Sequence, residues 1–168
     1  MDDAVAHADQ AREAASDDVP HALARAEQLA GMARQVAGDP AAVELLRAAA
    51  ARLAELGLEP DRIENLSVLA VALLDGGDLP AALGVVEEIL PGLDAPGAVG
   101  VVQPGRVLLD VHRVLAAAGD PRADDLPRWA ASYLATKSGH IRDDALRARF
   151  LATPVNTALG RLAASQGP

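Results

Sequence analysis

The chain has 168 residues, a net charge of −9, 51% hydrophobic residues but only 2% aromatic ones, and no cysteine. This length supports one domain with a real core, and the missing cysteine excludes disulfides, thiolate metal sites and cysteine nucleophiles. The longest apolar stretch, Leu66 to Leu74, falls short of the roughly 20 residues of a membrane span, and the acidic Met1-Asp2-Asp3 start lacks an apolar leader, so a soluble, cytoplasmic protein is expected.

Alanine, leucine and valine must carry the burial, which suits close helix packing better than sheets. In chain order, apolar spacing predicts helices over 3–15 and 19–36, the second with Leu23, Ala26, Leu29 and Val36 as its inward stripe. A third follows over 40–56, on Val43, Leu46, Ala50 and Leu53. The next two, 61–75 and 79–90, carry Leu66, Leu69, Ala70, Leu73 and Leu74, then Ala82, Leu83, Val86, Ile89 and Leu90. Residues 91–105 hold too many Pro and Gly for a helix and read as a long loop, either a spacer or a cover for a groove. Beyond it, helix 105–118 presents Val107, Leu108, Val111, Val114 and Leu115 toward Leu126, Trp129, Ala130, Tyr133 and Leu134 of helix 122–137. Two short helices, 143–151 and 154–163, close the chain.

Between these helices a turn recurs: Gly38-Asp39-Pro40, Gly77-Asp78-Leu79-Pro80 and Gly119-Asp120-Pro121, spaced by 39 and 42 residues, with an echo at Asp17-Asp18-Val19-Pro20. Glycine past a helix end takes the left-handed conformation, aspartate accepts from free N–H groups of the next helix, and proline at the first helical position sacrifices no bond. Stop, cap and restart give tight αα-hairpins, with turns near 16–19, 37–40, 76–79 and 119–121. Repetition at this period predicts an all-α, superhelical stack of antiparallel helical hairpins, one domain over residues 1–168 with about nine helices.

The middle hairpin resembles a tetratricopeptide repeat. Leu69-Ala70 stand where the first helix of that repeat carries a large-then-small pair, Leu73 at the following bulky position, Gly77 in the turn, and Ala82 and Val86 in the second helix; Ile89 and Asp124 depart from the pattern. Ile141 to Leu151, followed by Pro154-Val155-Asn156, is similar to the closing segment of tetratricopeptide-like arrays in bacterial LuxR-type regulators, signalling ATPases and nucleotide cyclases. In this segment Asp143 is expected to cap its helix and pair with Arg147, Leu146 and Phe150 to share a face, and Thr153-Pro154 to start a last helix over the open end of the stack. The resemblance implies a noncatalytic protein-interaction module or, alternatively, the detached regulatory C-terminal region of a transcription regulator or signalling ATPase, with roles in signal transduction.

Catalytic patterns are missing from the sequence. His7, His21, His112 and His140 form no His-x-x-x-His pair, and Asp110 and His112 point to different sides of a helix, so no metal is expected. Asp75-Gly76-Gly77-Asp78 lacks the lysine and hydroxyl of a phosphate loop, and Ser16, Ser67, Ser132, Ser138 and Ser165 lack a nucleophile elbow. No catalytic residue and no cofactor are expected. A small-molecule binder or enzyme on a helical bundle is a third reading, which would need a polar pocket holding Tyr133, His112 and arginines.

Charge is segregated: residues 1–100 hold 18 acids against 6 bases, net −12, and residues 101–168 hold 6 against 9, net +3. The acidic body disfavours direct nucleic-acid binding. The basic third suits a protein or peptide partner of acidic character, gripped by Arg106, Arg113, Arg128, Lys137 and Arg142. Trp129 and Tyr133 would anchor such a partner or serve as core. Partner-binding is therefore assigned to Arg106, Arg113, Arg128, Trp129, Tyr133 and Lys137.

Overall fold

The computed structural model describes residues 2–15, 19–93 and 100–165. Among them the protein is all-helical: α1 (Asp2–Ala14), α2 (Pro20–Ala37), α3 (Ala41–Glu55), α4 (Glu59–Asp75), α5 (Leu79–Leu93), α6 (Pro104–Ala117), a 3-10 turn (Pro121–Asp125), α7 (Leu126–Gly139), α8 (Asp144–Leu151) and α9 (Pro154–Ala164). The expected turn at Asp17-Asp18, Ser16 and the 94–99 part of the expected loop lie outside the described residues. The chain divides into two compact units, Met1–Val102 and Gln103–Pro168, parting inside the predicted 91–105 connection. That boundary coincides with the change in charge.

The three repeated turns have one geometry. At the second, Gly77 has φ 84°, which an L side chain resists. Asp78 N–H reaches back to Leu73 O at 2.9 Å and Gly77 N–H to Leu74 O at 3.0 Å, the paired bonds of a Schellman end. Asp78 Oδ1 then accepts from Ala81 N–H at 3.1 Å. Asp39 Oδ1 caps Ala41 N–H at 2.9 Å in the same way, and Asp120 Oδ1 caps Arg122 N–H at 2.9 Å. A cap of this kind is worth about 1 kcal/mol. A fourth turn of the same type closes α3: Gly57 has φ 68°, and Leu58 N–H bonds to Leu53 O at 2.9 Å. Leucine follows this glycine in place of aspartate, which hid it from the Gly-Asp pattern.

In the first unit each helix packs on its neighbours in sequence, and α2 also touches α4. Leu46, Leu53, Val86 and Ile89 are fully buried, each contributing about 1.5–3 kcal/mol of burial. Gly31 lets α2 close on α3, since a Cβ there would stand 2.6 Å from Leu46 Cγ. Buried Asn65 on α4 donates to Leu46 O at 2.7 Å, and buried Glu27 pairs with Arg52 at 3.0 Å. These contacts pin the register of α2, α3 and α4. α1 is held by the Asp9–Arg34 pair at 2.8 Å and by buried Ala8.

Two predicted helix limits move. α5 continues through Pro91 to Leu93, because a proline this close to a helix end disrupts little beyond the final turn. Its extension brings Gly92 onto Ile63, where a Cβ would collide with Ile63 Cδ1. The helix predicted from 122 instead begins as a 3-10 turn and becomes α-helical at Leu126. Pro127 cannot donate to the carbonyl four residues back, so one continuous helix would be broken there.

The α2 stripe is also corrected. Leu23 and Ala26 are buried, but Leu29 is 53% and Val36 66% exposed. At 100° per residue these two lie more than 100° round the helix from Leu23, outside the buried arc of Leu23, Ala24, Ala26, Glu27, Gln28, Ala30 and Gly31. Apolar residues at loosely helical spacing therefore spread over two faces.

In the second unit Val107, Leu108, Val111, Val114 and Leu115 of α6 are buried as expected. The principal neighbour of α7 is α9, with α6 a lesser one. Leu159 and Leu162 of α9 join Leu108 and Ala130 in one cluster, against which Leu126, Trp129, Tyr133 and Leu134 pack. The closing segment folds largely as expected. Asp143 accepts from Leu146 N–H at 2.8 Å, and Thr153 Oγ1 accepts from Asn156 N–H at 3.4 Å. Arg147, however, pairs with Asp144 at 2.8 Å, because Asp143 is turned to the helix N-terminus. Asn156 Nδ2 donates to Phe150 O at 2.7 Å, tying α9 to α8.

Candidate interaction face on the sixth and seventh helices

The sequence-assigned residues all lie in the second unit. Trp129, Tyr133 and Lys137 recur every four residues on α7, which places them on one stripe. The Trp129 and Tyr133 rings stack with centroids 5.2 Å apart and planes 7° apart. Lys137 Nζ sits 5.9 Å from the Tyr133 centroid, within cation–π range. Trp129 and Tyr133 are half-buried and pack against the Leu108–Ala130–Leu159–Leu162 cluster. The pair thus packs against the core of the second unit while staying partly accessible. Burial pushes the Tyr133 phenol above its usual range.

Gly105 positions this stripe against α6. A Cβ at Gly105 would stand 2.8 Å from Leu159 Cδ1 and 3.5 Å from Tyr133 Cε1, so the start of α6 lies directly on α9 and the tyrosine. One residue on, Arg106 Nε bonds along its own helix to Asp110 at 3.3 Å. Arg113, two turns further, is exposed. Arg128 is exposed and 3.6 Å from Asp125; it neighbours Trp129 in sequence and so points about 100° away from the aromatic stripe. Arg142 is exposed between α7 and α8. The structure gathers Trp129, Tyr133 and Lys137 into one ladder and leaves Arg128 off it.

His112 is half-buried on α6. Burial lowers its pKa, while the Asp124 carboxylate in the 3-10 turn pulls the other way. Among the described residues no three His, Asp or Glu side chains are grouped to hold a metal ion, and no helix is long and apolar enough to cross a membrane. On the first unit, a groove of about 290 Å³ runs over Ala50, Ala54, Leu66, Leu69 and Val85 between Arg47 and Glu88. A second, of about 180 Å³, lies at the α2–α3 turn beside Val43 and Ala72. The first stands at the lower edge of the roughly 300–1,000 Å³ of ordinary small-molecule pockets, and the second below it. No protein-family model, curated protein or solved structure matches this chain.

Sequence reasoning passed over the exposed apolar residues Leu29, Val36, Leu146 and Leu151 as possible surface features. Their only signal was an apolar pattern wider than one buried face.

Proposed function

We propose that the chain is a noncatalytic protein-interaction module of tetratricopeptide type, and that its partner is an acidic protein or peptide engaged on the α6–α7 face. The observation that carries this reading is the Trp129–Tyr133–Lys137 ladder, an aromatic surface with a cation at its end, in a unit of net charge +3. Rigid half-buried aromatics bind at small entropic cost, and a cation beside them favours an acidic ligand. Arg106 and Arg113 lie two turns apart on α6, with Arg106 paired to Asp110 on its own helix.

Affinity capture from extract of the native cell, with wild-type protein and a Lys137→Glu/Arg113→Glu variant, tests it. A specific protein should be retained by the wild type and bind the variant at least about tenfold more weakly. Its binding should also shift the emission of Trp129, the single tryptophan. Recovery of no specific protein, or equal retention by both forms, sinks the reading.

The closing segment supports a second reading, that the chain serves as a regulatory region of a bacterial transcription regulator or signalling ATPase. Asn156, the last residue of the Pro-x-Asn element, is buried and locks α9 to Phe150 O. The element that resembles those regulators thus has a defined structural job here. An ATPase or DNA-binding domain encoded in the same reading frame would favour this version.

A further inference from the structure

We propose that the first unit carries a docking groove of its own, between α3 and α5, which seats the apolar stripe of a partner helix that ends in a carboxylate. α3 and α5 each pack on α4 but not on each other. α4 is therefore the floor of a groove of about 290 Å³, with a helix on either side. Leu66 and Leu69 make the floor, Ala50, Ala51 and Ala54 one wall and Val85 the other. On α3 the lining runs from Arg47 to Ala54 and on α4 from Arg62 to Leu69, in each case about 10 Å of helix. Apolar anchors at i, i+4 and i+7 of a bound helix cover the same length, two turns.

The two ends of the groove differ in charge. Nearer the α3–α4 turn, Arg62 bonds to Glu59 at 2.9 Å and pairs with Glu88, so its charge is already met. α3 and α4 run antiparallel through the Gly57 turn, which puts Arg47 at the opposite end. Arg47 is exposed and makes no ion pair with a described residue, Glu44 one turn before it included. This is unlike Arg25, Arg34 and Arg52, each bound to a carboxylate in the same unit, whose net charge is −12. The lining thus holds two arginines against one glutamate, and the guanidinium left over borders an apolar floor. Apolar side chains that fill the groove bring this cation and the partner together beside a low-dielectric surface, where a carboxylate is favoured and a cation rejected. The complementary occupant is an amphipathic helix with Glu or Asp one turn beyond its apolar stripe.

The test titrates the full chain into a fluorescein-labelled helical peptide of about 15 residues, with leucines at i, i+4 and i+7 and a glutamate one turn beyond them. Fluorescence anisotropy should give a dissociation constant of about 10–100 µM. A second peptide, with lysine in place of that glutamate, should bind about fivefold more weakly. The net charge of the unit would produce the opposite preference, but at about 150 mM salt it is screened beyond about 8 Å, so the sign of the preference reports on Arg47. Arg47→Glu should reverse it. Ala51→Gln, which sets a polar side chain against the groove, should weaken both peptides at least about fivefold. Ala51 and Arg47 are both exposed, and circular dichroism checks that the variants fold. No saturable binding up to about 500 µM, a wild-type preference for the lysine peptide, or binding indifferent to either substitution overturns the proposal. Neither substitution touches Lys137 or Arg113, so failure here and failure of the α6–α7 reading are told apart.

Discussion

Asp120 accepts three hydrogen bonds from one residue: from Arg122 N–H at 2.9 Å, Nε at 2.9 Å and Nη2 at 2.7 Å. The side-chain bonds chiefly, then the backbone one, hold its carboxyl at about 2, below the ordinary 3.8. Because the folded value is depressed, the stabilisation is present above the unfolded pKa of 3.8 and is lost as pH falls through about 2. An NMR titration of the Asp120 carboxyl should give a midpoint near 2, and Arg122→Ala should return it toward the ordinary value. A wild-type midpoint near 4 would show that the clasp is not formed. The capping role of this aspartate was legible from Gly-Asp-Pro because the motif is local. The arginine clasp was not, since side chains two apart diverge on a helix; here Asp120 is extended, with ψ 126°, and its side chain can fold over the 3-10 turn. The α7 ladder was legible for a similar local reason, four-residue spacing, whereas the role of Leu159 beneath it depends on contacts some 30 residues away.

At the scale of helices, glycines of one sequence type divide by what surrounds them. Gly31 lies inside α2 with Leu46 Cγ 2.6 Å from where its Cβ would stand, and Leu46 is fully buried. Gly84 lies inside α5 with nothing within 4 Å. Alanine gains up to about 1 kcal/mol of helix propensity at either position. At Gly31 overpacking of about 1–3 kcal/mol exceeds that gain, so Gly31→Ala should lower the denaturant midpoint by the equivalent of about 1–2 kcal/mol. Gly84→Ala should raise stability by about 0.5–1 kcal/mol; equal responses would mean that the α2–α3 approach is looser than Leu46 indicates. Helix positions were readable to within a few residues because glycine ends and apolar spacing agree. Leu29 and Val36 were misplaced because periodicity gives an angle around a helix, while the width of the buried arc depends on how many neighbours it has.

For the whole molecule, the division of charge at the unit boundary governs the response to salt. Self-repulsion weighs on the first unit, at net −12, far more than on the second, at +3. Raising salt from about 10 to about 200 mM screens this repulsion, so amides in 1–102 should gain more hydrogen-exchange protection than those in 103–168. Equal gains would mean that local ion pairs such as Glu27–Arg52 already neutralise the field. The all-helical character was legible because composition and turns pointed to it together. The division into two units was not, because only the packing shows where contacts thin out.

The pattern of helix neighbours also sets an order in time. In the first unit nearly all packing joins helices adjacent in sequence, so a chain emerging from the ribosome can lay down each helix on the one just finished. The second unit cannot grow this way, because α7 finds its principal neighbour in α9, two helices later. Until Pro154–Ala164 has been synthesised, Leu108 and Ala130 lack the leucines that cover them. The last eleven-residue helix is therefore the step that shields a nascent apolar surface from aggregation or a chaperone.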